Sequence, residues 1–76
     1  MQIVLQSTTK IVNINGVPAR VWEGATENGI PVHCYITRIA VPEGRPAEDY
    51  ATFERELKEC SAPSAAVEAI PLWMIP

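Results

Sequence analysis

The stretch Ile11-Val-Asn-Ile-Asn15-Gly16-Val-Pro-Ala-Arg20-Val-Trp22-Glu23 decides the fold. Two alternating, β-branched runs meet at Asn15-Gly16. An Asn-Gly pair between such runs is a strong hairpin signal, because both turn residues must reach positive φ. A second Asn-Gly, at residues 28 and 29, precedes another alternating run, Ile30-Pro-Val-His33-Cys34-Tyr35-Ile36-Thr37-Arg38. The pattern predicts an antiparallel meander over residues 10–15, 17–25 and 30–41.

With a two-residue first turn, Ile14 faces Val17, Val12 faces Ala19 and Lys10 faces Val21. Side chains alternate between faces along a strand. One face then carries Val12, Ile14, Val17, Ala19 and Val21, and the other carries Ile11, Asn13, Pro18, Arg20 and Trp22. A second loop of two or four residues adds Val32, Cys34 and Ile36 to the valine face. It adds His33, Tyr35 and Thr37 to the face of Arg20 and Trp22. A loop of three or five residues exchanges the two sets, since a one-residue slip reverses a strand. The even loop is preferred, because the odd one sets a lone His among valines without a partner.

Residues 1–6 read as a further short strand, and the polar residues 6–9 as a bend. Pro42-Glu-Gly44-Arg-Pro46 breaks the strand pattern. Residues 46–60 read as a helix, with Pro46 in the first turn and Glu48 and Asp49 at the positive helix end. Tyr50, Phe53, Leu57 and Cys60 form its apolar stripe, expected to pack on Val12, Val21, Cys34 and Ile36. Glu54 and Lys58 are spaced for an ion pair one turn apart. Residues 64–69 read as one short helical turn. Ile70-Pro-Leu-Trp-Met-Ile-Pro76 is an apolar arm bounded by prolines. The fold class is α+β: a small antiparallel β-meander of three to four strands packed on one α-helix, in a single domain spanning residues 1–76.

The chain has 76 residues, a net charge of −3 and 47% hydrophobic residues. That composition suits a small globular domain with a marginal core, for which self-association is a common remedy. Residues 46–76 carry the acidic excess, on the helix. No basic cluster marks a nucleic-acid interface, and none is expected. No apolar run approaches the roughly 18 residues of a membrane span, and the first residues lack the basic start of a signal peptide. The cytoplasm is the expected location. Cys34 and Cys60 fit neither a CxxC motif nor a zinc set with the single His33, so no metal and no cofactor is expected.

Asn15-Gly-Val-Pro-Ala-Arg20-Val-Trp22-Glu-Gly24, Gly29-Ile-Pro-Val-His33, Ile36-Thr-Arg38-Ile-Ala40, Phe53-Glu-Arg-Glu-Leu57 and Ile70-Pro-Leu-Trp-Met-Ile75 together resemble a set of short proteins encoded by phages and prophages. The resemblance covers most of the chain. It implies a phage accessory gene that counters host defence, acting in the host cell cytoplasm.

Catalysis is not expected. His33 and Cys34 are adjacent in a strand and point to opposite faces, so they form no dyad. Asp49 belongs to a helix first turn, and no carboxylate pair brackets a cleft. The candidate ligand-binding set is Arg20, Trp22, His33, Tyr35 and Thr37, where aromatic rings can stack a base and Arg can fork onto phosphate. Ordinary cross-strand pairing also favours aromatics and Thr. The expected function is non-enzymatic binding that counters host defence by sequestering a small nucleotide signal. The alternatives are inhibition of a host defence protein by direct contact, or a structural accessory role. A homo-oligomer, dimer or higher, is expected; the apolar arm either closes the chain's own core or docks on a neighbouring subunit, and the expected interface includes it.

Overall fold

A computed structural model of the protein describes residues 1–69. It is an α+β fold. Three strands, β1 (Ile3–Ile14), β2 (Val17–Thr26) and β3 (Pro31–Ile36), form an antiparallel sheet in the order β1-β2-β3. Two helices follow, α1 (Ala47–Leu57) and α2 (Ala65–Glu68). The apolar arm lies outside the described residues.

The first hairpin follows its turn chemistry. Asn15 and Gly16 both take positive φ, at 51° and 85°. The Gly16 N–H donates to the Asn13 side chain at 2.6 Å. Val12 pairs with Ala19 and Ile14 with Val17, as the sequence predicts.

Residues 1–14 are not two strands around a bend but one long strand with a bulge. The register shifts between Ser7, opposite Trp22, and Ile11, opposite Arg20. Thr8, Thr9 and Lys10 therefore lie against Val21 alone, so the Lys10–Val21 pair does not form. Thr8 is buried there, and its hydroxyl donates to the Val21 carbonyl at 2.6 Å. The same oxygen accepts from the Lys10 N–H at 3.2 Å. A polar residue tolerates burial when its hydroxyl is satisfied both ways.

The second hairpin takes the odd register, contrary to the preferred one. Gly29 donates to the Thr26 carbonyl at 2.9 Å, and the Thr26 N–H donates to the Ile30 carbonyl at 2.9 Å. Gly29 has φ 82°, whereas Asn28 stays at negative φ. This is a type I turn closed by a glycine bulge, which leaves a three-residue loop. The pairs are Ala25–Pro31, Glu23–His33 and Val21–Tyr35, alternating with Gly24–Val32, Trp22–Cys34 and Arg20–Ile36. β3 stops at Ile36, well short of residue 41.

The sheet thus has an inner face, with Val12, Ala19, Val21 and Tyr35, and an opposite face, with Trp22, Arg20, Cys34 and Ile36. Val67 of α2 closes the inner face. It and Val21 are both fully buried, and Ile14 and Tyr35 pack around them. The long helix does not cover Val12 and Val21, and no residue of α1 is buried. After α1 the chain passes round the β1 edge. Ser61 bridges to Thr8 in parallel, its N–H donating to Ser7 and its carbonyl accepting from Thr9. That crossing carries α2 to the inner face and α1 to the other. The ion pairs on the described helix surface join Arg45 to Asp49 at 2.8 Å and Arg55 to Glu59 at 3.8 Å, rather than Glu54 to Lys58.

Candidate functional site

The opposite face of the sheet and α1 enclose an open cleft of about 970 Å³. β2 contributes Trp22 and Arg20, and β3 contributes Ile36. The segment after β3 contributes Thr37 and Arg38, and α1 contributes Phe53, Leu57 and Arg55. The apolar stripe of α1 therefore faces the sheet across a cleft instead of completing a sealed core. Tyr50 leaves the stripe to donate from its hydroxyl to the Pro42 carbonyl at 3.0 Å, outside the cleft.

The alternation of β2 sets Arg20 and Trp22 on one wall. Trp22 is half-buried, with Ser7 on one side and Cys34 on the other. Arg20 is anchored: its Nη1 donates to the Thr8 carbonyl at 2.6 Å. Arg38 takes part in no ion pair among the described residues and is exposed at the cleft margin. Arg55 is tied loosely to Glu59, with both side chains mostly exposed. The cleft thus combines two aromatic rings with guanidinium groups, while Glu56 and Glu59 temper its charge.

The odd second hairpin divides the five residues that the sequence groups together. Arg20, Trp22 and Thr37 line the cleft. His33 and Tyr35 lie on the inner face, opposite Glu23 and Val21. Tyr35 packs against the core, and His33 is exposed. His33 is not stranded among valines, because that end of the inner face is open and offers it a carboxylate.

Glu23 has a second partner. The Ser64 N–H, at the cap of α2, donates to its Oε2 at 2.9 Å. The Ser64 side chain, that N–H and the charge of nearby His33 hold the Glu23 carboxyl below its ordinary value of 4.5. The cluster fastens α2 to the sheet.

Phe53, Arg38 and Arg55 line the cleft in addition to the residues expected from the sequence. Helical spacing puts Phe53 on the apolar stripe, and continuing the even-loop alternation past Ile36 puts Arg38 on the valine face. No His, Cys, Asp and Glu cluster among the described residues could hold a metal ion. No described helix is long and apolar enough to cross a membrane. Comparison with protein families, curated proteins and solved structures finds no significant match.

Proposed function

We propose that the protein is a non-enzymatic binding protein that sequesters a small nucleotide in the cleft between α1 and the sheet. The observation that carries this reading is the lining of that cleft. Trp22 and Phe53 offer aromatic surfaces on opposite walls, and Arg20, Arg38 and Arg55 offer cations nearby. Stacking on aromatic rings and charge-assisted bonds from guanidinium groups are what a nucleotide requires. Clefts of several hundred Å³ or more suit ligands of this size. His33 and Tyr35 have no part in this version of the site. The resemblance to short phage proteins supports a role in countering host defence by withdrawing a nucleotide signal in the host cytoplasm.

The test is calorimetric titration of the full chain with cyclic nucleotides and with ADP-ribose-type nucleotides. Saturable binding, with intact ligand recovered after denaturation, supports sequestration, and Arg38→Ala and Trp22→Ala each weaken it at least tenfold. A chemically altered ligand points to an enzyme. Saturable binding unaffected by both substitutions overturns the assignment to this cleft. Absence of binding across the panel favours the alternative, inhibition of a host defence protein by direct contact.

A further inference from the structure

We infer that β3 pairs antiparallel with β3 of a second copy, across a two-fold axis at Cys34, so that two sheets join into one. This inference is independent of what the cleft binds.

The phase of the hydrogen-bond ladder identifies the groups on the β3 edge, which no other described strand covers. The Thr26 N–H donates to the Ile30 carbonyl, which makes Thr26 and Ile30 a hydrogen-bonded pair. Such pairs recur at every second residue of an antiparallel ladder. Val32, Cys34 and Ile36 therefore direct their backbone groups to Gly24, Trp22 and Arg20 of β2. His33 and Tyr35 direct theirs outward. Pro31 also falls in the outward phase, where its missing N–H costs the ladder nothing. No turn, loop or cap bond among the described residues reaches His33 or Tyr35.

The two edges of the sheet are treated differently. β1 carries a bulge, Lys10 and the Ser61 crossing, all of which discourage pairing. β3 is Pro-Val-His-Cys-Tyr-Ile, without a Lys, Arg, Asp or Glu and without a bulge. An edge strand of this kind, unpaired among the described residues, is a template for another strand.

The occupant follows from the self-complementarity of β3 about its middle. With the axis at Cys34, His33 meets Tyr35 of the partner subunit, and Tyr35 meets the partner's His33. Both pairs are in the outward hydrogen-bonding phase. On the cleft side Val32 meets the partner's Ile36, so apolar side chains meet apolar ones. All three cleft-side residues of β3 are half-buried already. Centring the axis on His33 sets two imidazoles face to face and wastes the Pro31 position. Centring it on Tyr35 sends the outer bonds to Thr37, beyond the end of the strand. The Cys34 axis keeps both reciprocal His33–Tyr35 pairs within β3 and leaves Pro31 at the margin of the contact. An isologous two-fold contact of this kind closes on itself and leaves outermost only the two protected β1 edges.

The Cys34 axis has a chemical consequence. Cys34 meets the partner's Cys34 in a non-hydrogen-bonded pair, where Cα atoms lie about 4.5 Å apart. That falls within the range of about 4.4 to 6.8 Å that a disulfide spans. Both thiols point to the same face of the joined sheet.

The experiment uses the full chain as Cys60→Ser and, separately, as Cys34→Ser, each treated with copper(II)-phenanthroline at micromolar concentration. Each Cys34 thiol loses its proton to solvent and one electron to a copper(II), which becomes copper(I), and the two sulfurs join. Cys60→Ser is expected to run as a dithiothreitol-sensitive dimer on a non-reducing gel, and Cys34→Ser as a monomer. Light scattering of the untreated wild type should give the mass of two chains or a multiple of it. His33→Pro removes an outward N–H while sparing the ladder to β2, and should halve the mass with an unchanged circular dichroism spectrum. If His33→Pro unfolds, the cross-linking comparison alone decides. A monomeric wild type, equal cross-linking through Cys60, or a folded His33→Pro that keeps the full mass overturns the proposal.

Discussion

Arg20 and Thr8 hold each other across the β1 bulge: the Arg20 Nη1 donates to the Thr8 carbonyl at 2.6 Å, and the Thr8 hydroxyl reaches the neighbouring Val21 carbonyl at the same distance. The bulge leaves three residues of β1 opposite one residue of β2, so the regular ladder cannot satisfy these carbonyls. Arg20 therefore shapes the cleft wall before it meets any ligand.

Removing either partner at the bulge leaves a buried polar group unpaired. Thr8→Val keeps the shape but strands the Val21 carbonyl, at a cost of about 1–3 kcal/mol. Arg20→Ala should cost a similar amount, because a charged donor is lost from the Thr8 carbonyl. Urea denaturation of each variant measures this. Midpoints unchanged from wild type would mean that the bulge is held by its backbone alone. Arg20→Ala is thus a poor probe of binding, whereas Arg38→Ala touches no internal bond of the described fold.

Core and cleft respond differently to truncation. Val67 is fully buried against Val12, Ala19 and Val21. Val67→Ala removes roughly two methylene equivalents and opens a cavity, for about 2 kcal/mol. Phe53 is only half-buried and borders open space. Phe53→Ala should therefore cost less than Val67→Ala, although the larger side chain is removed. Thermal melts of both variants settle the order. The reverse order would place the principal core under α1, as the helix stripe alone suggests.

Local chemistry is legible in this sequence, and contacts between distant segments are not. Asn15-Gly16 names one turn, since both residues must adopt positive φ. Asn28-Gly29 serves two turns, and only Gly29 needs positive φ in the one that forms. That ambiguity moved His33 and Tyr35 to the other face. Periodicity showed that Tyr50, Phe53 and Leu57 share a side of α1, but not which sheet face they meet. Val67 carries no periodic signal, because a four-residue helix with one large apolar residue has no stripe. Thr8 reads as loop chemistry because its burial depends on bonds to residues far along the chain.

Gly24 is required by close approach. A Cβ there would lie 1.8 Å from the Val4 carbonyl oxygen, a backbone atom that no side-chain rotation can move. Gly24→Ala must push β1 away from β2 near the start of the sheet. The expected cost is about 1–3 kcal/mol, as for other overpacked sites. Hydrogen exchange should show faster opening of the ladder between residues 3–5 and 24–26. Protection equal to wild type there would mean that the strands meet less closely than described.

The Glu23–Ser64 contact makes the docking of α2 depend on pH. The folded carboxyl titrates below its ordinary value, chiefly because the Ser64 side chain and N–H bind its charged form. At pH values between the folded and unfolded pKa, the unfolded chain holds the extra proton, so stability rises with pH across that window. The contribution is fully present above the unfolded value and is lost as pH falls through the folded one. Its size is small, because the carboxylate remains open to solvent and to screening. Other acidic groups also titrate there, so the useful quantity is the difference between wild type and Glu23→Gln. That difference in melting temperature should be greatest near neutral pH and shrink as the solution is acidified below the carboxylate range. Ser64→Ala keeps the backbone N–H and should reproduce part of the loss. Parallel melting curves for wild type and Glu23→Gln across the whole acidic range would show that Glu23 does not fasten α2 to the sheet.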